Sequence, residues 1–475
     1  MPQILSVGID IGTSTTQVVF SRIDLENTAG YFAVPHISIV DKRVIYQSDI
    51  ALTPLKNQSL IDGEAVRELV RREYEKAGFK PSDVDTGAVI ITGESARKEN
   101  AEEALYSLSD FAGEFVVSTA GPDLEAIVAG KGSGAMAFSE EQGCAVVNLD
   151  VGGGTTNAVL FDCGEALDKG CVDIGGRLIR LRDDMTVTYI SESAGKIAAA
   201  AGADIAVGRK ATVRQLDKIC GVMADLLYEL LAGGEPSALL QEVRTPGSGD
   251  FHPVKDIRAV CFSGGVADLI YDDESDPIRY GDIGVLLAAA IRESRIFADF
   301  RVIRARETIR ATVVGAGTYT TSVSGSTIDY SDGVLPVKNV PVLRLTDDEQ
   351  SACFGGGATA LREQLSWFLS QSGGENAAIA MCGDADPSYV AVNRLAEVIA
   401  EAADGLLPRG APLIVIFERD MAKALGGRLK WVLNGRRPVI SIDTVRVTDG
   451  GYVDIGRPLM DGMVVPVVVK TLVFQ

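Results

Sequence analysis

Along most of this chain the hydrophobic positions fall into short runs that end in small or polar residues, a pattern of buried strands separated by tight turns. Two of these runs are near copies. Ile9-Asp10-Ile11-Gly12-Thr13-Ser14-Thr15-Thr16-Gln17-Val18-Val19-Phe20 aligns without a gap with Leu149-Asp150-Val151-Gly152-Gly153-Gly154-Thr155-Thr156-Asn157-Ala158-Val159-Leu160, 140 positions further on. Each predicts a strand ending in Asp, a turn of small and hydroxyl residues, and a second strand returning along the first. A matched pair in one register points to duplicated half-domains.

Around the hairpins the pattern alternates between strand and helix. The first part predicts a strand region at Ser38-Ile39, an amphipathic helix from Gly63 to Lys76, a strand at Ala88-Val89-Ile90-Ile91 and a helix from Ser95 to Leu108. Gly121 to Gly130, with Pro122 in its first turn and small residues along one face, fits a helix crossing between halves. The second part predicts helices at 193–201 and 212–232, then an apolar strand at Ala259 to Ala267 that contains Gly264-Gly265. Arg310 to Gly317 reads as another strand running into glycine. Beyond residue 335 strands at 377–381, 413–417 and 439–442 alternate with helices at 390–403 and 421–432, and 451–453 with 464–474 form a closing hairpin. The expected fold class is α/β: one half at 1–140, a second at 141–335, and a C-terminal α/β unit at 336–475 that contacts a partner or buttresses the core.

The hairpin tips have the composition that phosphate binding needs. Gly12, Gly152, Gly153 and Gly154 allow backbone N–H groups close to an anion, and Thr13, Ser14, Thr15, Thr155 and Thr156 add hydroxyl donors. Asp10 and Asp150, where strand gives way to turn, would reach a hydrated Mg2+. Gly264 and Gly265 either present backbone to a flat ligand or make an ordinary tight turn, and the Gly315 loop competes for the same role. Thr92, Gly93 and Glu94 either face the cleft or cap a helix.

Composition removes other chemistries. A net charge of −20 disfavours a nucleic-acid surface, and no apolar run is long enough to cross a bilayer. The first residues lead directly into a strand, so no export signal is expected and the expected location is the cytoplasm. Seven cysteines without a Cys-x-x-Cys read as reduced thiols, and two histidines leave little material for histidine metal centres or Ser/His triads.

The order of hairpin, crossing helix, hairpin and Gly264-Gly265 resembles the actin, heat-shock chaperone and sugar-kinase ATPase superfamily. More narrowly, Val89 to Ala101, Cys261 to Ala267 and Arg310 to Ser326 are similar to the EutA family, reactivating factors of adenosylcobalamin-dependent ethanolamine ammonia-lyase. That resemblance implies a slow ATPase using ATP and Mg2+ to release damaged cobalamin from the inactivated lyase, its partner, so that intact coenzyme can enter. It implies nucleotide contacts from Gly12, Thr13, Ser14, Thr15, Gly152, Gly153, Gly154, Thr155, Thr156, Gly264 and Gly265. Asp10 and Asp150 would hold Mg2+ through water, Asp150 also orienting the attacking water. Heat-shock ATPases carry a glutamate before the proline of the crossing helix; here Gly121 stands there, with Asp123 or Glu125 as substitutes. Association with an ethanolamine-utilisation microcompartment and homo-oligomer formation stay open. A small-molecule kinase or an actin-like filament protein is the alternative on the same fold.

Overall fold

The structure is a computed structural model that describes residues 3–12, 15–27, 37–57, 60–92, 100–101, 104, 108, 117–119, 122–253, 255–319, 321–325, 327–372, 376–384, 386–408, 410–447, 451–459 and 462–470. β1 (Gln3–Ile11) and β2 (Thr15–Asn27) are antiparallel, in register from Gln3 opposite Asp24 to Ile11 opposite Thr16. β3 (Ile37–Gln47) and the short β4 (Ala51–Leu52) pair antiparallel with β2. β5 (Thr86–Ile91) and β6 (Val117–Thr119) extend the other side of β1 in parallel, so the sheet runs β3-β2-β1-β5-β6. The helix Gly63–Ala77 makes the return connection that parallel strands require. Asp62 caps its amino end, Gly78 ends it in the left-handed region, and Val66, Val70 and Tyr74 recur every fourth residue to form its buried stripe.

The second half repeats this plan. β7 (Ala145–Val151), β8 (Thr156–Asp162) and β9 (Glu165–Val172) form an antiparallel meander. After the small hairpin of β10 (Ile179–Leu181) and β11 (Val187–Ile190), β12 (Ala259–Ser263) and β13 (Arg301–Ile303) add in parallel beyond β7. The order β9-β8-β7-β12-β13 is that of the first sheet, strand for strand. The duplication inferred from two hairpins therefore extends to whole sheets, and the fold is a duplicated, actin-like α/β fold.

Two helices cross between the halves. Pro122–Gly132 follows the first half in sequence but packs on β7, β8 and β9, whereas Ala311–Tyr319 follows the second half and packs on β1, β2 and β5. They meet backbone to backbone: a Cβ on Gly132 would fall onto the Ala311 carbonyl, and one on Gly315 onto the Val128 carbonyl. Only glycine permits that approach. Ala311–Tyr319 corrects the expected strand at 310–317. The segment is apolar on every side, with Val313 against Val19 and Ala316 against Val128, so hydrophobic period carried no helical signal. Gly315 is thus a helix-crossing point and not part of a strand-to-glycine turn. The helix expected from Ser95 to Leu108 lies largely outside the described residues.

The rest of the chain forms one curled sheet. β14 (Thr321–Gly325), β15 (Asp329–Tyr330), β16 (Val337–Arg344), β17 (Ala378–Met381), β18 (Leu413–Phe417), β19 (Val439–Ile442), β20 (Tyr452–Ile455) and β21 (Val464–Lys470) run in the order β14-β21-β20-β16-β17-β18-β19-β15. β16 to β19 are parallel, with the helices Ala358–Ser372, Tyr389–Ala403 and Ala422–Leu433 packed over one face in a single apolar core. The closing hairpin is β20 with β21. Val468 of β21 is buried with Val128 and Ala316 of the crossing helices, and Val464 with Ile4 and Ile23 of the first sheet.

Gly315→Ala should lower unfolding free energy by about 3 kcal/mol, because the added methyl would fall on the Val128 backbone, which cannot swing aside. Gly221, inside the helix Val213–Ala232 with open space at its Cβ position, is the control. Gly221→Ala should stabilise by roughly 0.5–1 kcal/mol. Denaturant unfolding of both variants checks the contrast, and equal effects would count against the close crossing.

Candidate nucleotide site

The two hairpin tips are built alike. In the first, the Gly12 amide donates to Thr15 O at 2.9 Å; in the second, the Gly152 amide donates to Thr155 O at 2.9 Å. Thr13 and Ser14 lie outside the described residues. The second tip stays partly open at Gly152, Gly153, Gly154 and Thr155. Thr156 is different: its buried hydroxyl donates to Ile174 O at 2.8 Å, so that proton is committed to the fold.

Asp10 and Asp150 occupy equivalent buried positions at the ends of β1 and β7. Each accepts one hydroxyl at Oδ1, from Thr92 at 2.9 Å and from Ser263 at 2.6 Å respectively. Burial is the main cause that pushes Asp10 up to about 7; the Thr92 bond opposes it, and the charge of Asp150 adds to it. Burial likewise pushes Asp150 up to about 6, against the bonds from Ser263 and Asn157. The charge of Asp150 is felt at Asp10, so the two carboxylates stand near each other across the space between the tips.

That space suits a hard, hydrated cation. Directly across the hairpins, Gln17 pairs with Asp10 and Asn157 with Asp150, so each amide shares a sheet face with its carboxylate. The carbonyl oxygens of both amides are buried without a hydrogen-bond partner. Mg2+ typically keeps several waters and takes one or two protein carboxylates, and waters of that shell donate to such acceptors. Among the described residues no cluster of three or more His, Cys, Asp or Glu could hold a metal unaided. The donor set therefore fits Mg2+ held partly by phosphate and water.

Several neighbours escaped sequence reasoning. The second tip is backed by Gly175-Gly176-Arg177: the Gly176 amide donates to Gly152 O at 3.0 Å and the Arg177 amide to Gly153 O at 2.7 Å. A Cβ on Gly175 would come within 2.5 Å of Gly153 O, so glycine is needed there; the paired glycines just beyond β9 were the available signal. Asn148 donates to Ser263 at 2.9 Å and so orients the hydroxyl that holds Asp150. Thr92 spends its hydroxyl on Asp10, while Gly93 and Glu94, and with them the choice between a cleft-facing strand end and a helix cap, lie outside the described residues. Gly264, at φ +91°, would drive a Cβ into Val151 O, so the turn abuts the second hairpin; Gly265 is exposed beside it. Asp123 spends its carboxylate on the Gly249 amide at 2.9 Å. Glu125 is buried, and both its charge and the Thr155 hydroxyl act on the Cys171 thiol, which places Glu125 near the second tip.

Asp10→Asn keeps the acceptor for Thr92 and removes a buried charge. A carboxylate raised in the folded state favours folding below its unfolded value of 3.8 and loses that contribution as pH rises to about 7. The variant should therefore gain stability over the parent progressively between about pH 4 and 7, in the absence of nucleotide and metal, and level off above. A gain independent of pH in denaturant titrations would contradict the burial of Asp10 as a charge.

The described helices include none long and apolar enough to cross a membrane. Residues 2–475 match the family model described as ethanolamine utilisation protein EutA. The chain is 38% identical over 478 residues to the ethanolamine ammonia-lyase reactivase EutA of Salmonella typhimurium, covering 99% of each chain. It is 37% identical over 479 residues to the protein of that name from Escherichia coli, again covering 99% of each. Among solved structures, an Aquifex aeolicus PPX-GPPA enzyme matches 66% of this chain and 99% of its own at 14% identity, with a TM-score of 0.39. With a family model spanning nearly every residue and full-length relatives well above 30% identity, the chain belongs to the EutA family.

Proposed function

We propose that this protein is an ATP-dependent reactivating chaperone that releases damaged cobalamin from inactivated ethanolamine ammonia-lyase, so that intact adenosylcobalamin can bind. The observation that carries the reading is the pair of buried carboxylates, Asp10 and Asp150, held at the tips of matching hairpins and close enough to influence each other's ionisation. Such a site needs a cation and an anion together. ATP with Mg2+ supplies both: the metal neutralises phosphate charge and lets the carboxylates ionise.

The chain's own residues have separable tasks. Backbone amides of Gly152 to Thr155 and of the first tip receive the phosphates, and Gly264 and Gly265 line the nucleoside. Asp150, fixed by Ser263 and Asn157 and pushed up to about 6, is suited to orient the attacking water and take its proton near neutral pH. Asp10, held by Thr92, would hold the cation through water together with Asp150. Glu125 replaces the missing glutamate before Pro122 as a second polar group near the second tip. Closure of the halves on ATP and relaxation after hydrolysis change affinity for the lyase, and that difference drives the exchange.

The helical layer of the C-terminal unit is the partner contact. Both tryptophans of the chain lie there and point outward, Trp367 with 65% and Trp431 with 70% of its surface exposed, beside Tyr389 at 77%. Arg428 stacks on Trp431 with its guanidinium carbon 3.9 Å from the ring centroid. Exposed aromatic and arginine groups of this kind anchor protein interfaces.

Steady ATP hydrolysis stimulated by cobalamin-inactivated lyase, with no phosphorylation of sugars, supports the reading. Asp150→Ala should fold normally and lose about 100-fold or more in turnover; hydrolysis at the parent rate would remove Asp150 from its assigned role. The Tyr389→Ala/Trp431→Ala double variant should weaken lyase association at least about 30-fold, as loss of interface anchors worth about 2 kcal/mol or more does, while ATP affinity stays at the parent value. Pull-down of the inactivated lyase with undiminished yield would place the contact elsewhere.

A further inference from the structure

Beside the second tip stands a guanidinium that the fold holds only by a long ion pair. The Arg177 amide is bonded to Gly153 O, and its side chain doubles back over the tip: a Cβ on Gly153 would meet Arg177 Cδ at 3.3 Å and Cγ at 3.4 Å. Its Nε is buried without a hydrogen-bond partner. Its ion-pair partner is Asp282, with Nε and Oδ2 at 3.8 Å, beyond hydrogen-bond reach. Buried guanidinium donors are normally satisfied, and planar, forked donors match phosphate oxygens.

Asp282 is itself well placed. Its Oδ1 accepts the Gly284 amide at 2.9 Å, at the start of the helix Gly284–Glu293. The Ile283 amide donates to Gly176 O at 3.0 Å, and a Cβ on Gly176 would lie 2.9 Å from Gly284 Cα. Tip, Gly175-Gly176-Arg177 and helix start are thus three stacked backbone layers with Arg177 reaching from the first toward the third.

We propose that the Arg177 guanidinium binds the outer phosphate of the nucleotide at the second hairpin and returns to Asp282 when that phosphate is absent. This inference rests on the ATP-site reading and adds to it the residue that distinguishes triphosphate from diphosphate. Moving the guanidinium between phosphate and Asp282 changes the charge balance at the start of Gly284–Glu293, which gives nucleotide state a mechanical outlet in the second half.

Isothermal titration of the full chain with ATP, ADP and adenosine in Mg2+ tests it. Arg177→Ala should weaken ATP roughly 10- to 100-fold, the loss expected for charge-assisted bonds to a charged group, change ADP less than about threefold, and leave adenosine unaltered, with an unchanged melting temperature. Arg177→Lys should fall between parent and Ala in its ATP-to-ADP ratio, and it decides the matter if the alanine variant does not fold. Asp282→Asn, which keeps the acceptor for the Gly284 amide, should bind ATP no more weakly than the parent. If the parent binds no nucleotide, the ATP-site reading itself fails. If the parent binds ATP and Gly153→Val abolishes it, yet neither Arg177 variant alters the ATP-to-ADP ratio, the assignment of Arg177 alone is overturned.

Discussion

The architecture depends on one steric contact: two helices crossing with their backbones touching at two glycines. Gly132 lies on the Ala311 carbonyl and Gly315 on the Val128 carbonyl. Each helix follows one half in sequence and packs on the sheet of the other. Neither half can therefore move without carrying the helix buried in its partner.

Holding two carboxylates in such a place works against stability. Burial alone disfavours both charges, and their mutual repulsion adds to it at Asp10. The fold supplies one hydroxyl to each and leaves the carbonyl oxygens of Gln17 and Asn157 without partners. Incompletely satisfied polar groups in an otherwise well-packed interior mark a site completed by something that binds. The two jaws are not equal, since Asp150 has Ser263 on the adjacent strand where Asp10 has Ile90.

A route leads outward from this cleft through packed elements. The second tip rests on Gly175-Gly176-Arg177, which rests on the start of Gly284–Glu293. On the other side the crossing helices share a buried cluster with Val468 of β21, the strand that closes the C-terminal sheet. That sheet carries the helices bearing Trp367, Tyr389 and Trp431. Close-packed groups thus join the crossing helices to the C-terminal unit without a break.

Much of this was legible without coordinates. The repeated Asp-to-Thr hairpins determined the duplication and the strand ends that carry the carboxylates, because strand, turn and return are local patterns with local causes. The closing hairpin and the parallel unit at 377–442 were readable for the same reason. The crossing helix at Ala311–Tyr319 was not: positions 311–316 are all buried, so no polar face and no period separates helix from strand there. Nor could sequence show that Ser263 and Thr92 hold the two carboxylates, that Thr156 is consumed by Ile174, or that Arg177 lies on Gly153. Those contacts join residues far apart in the chain, and only the closing of the sheets and the crossing of the helices brings them together.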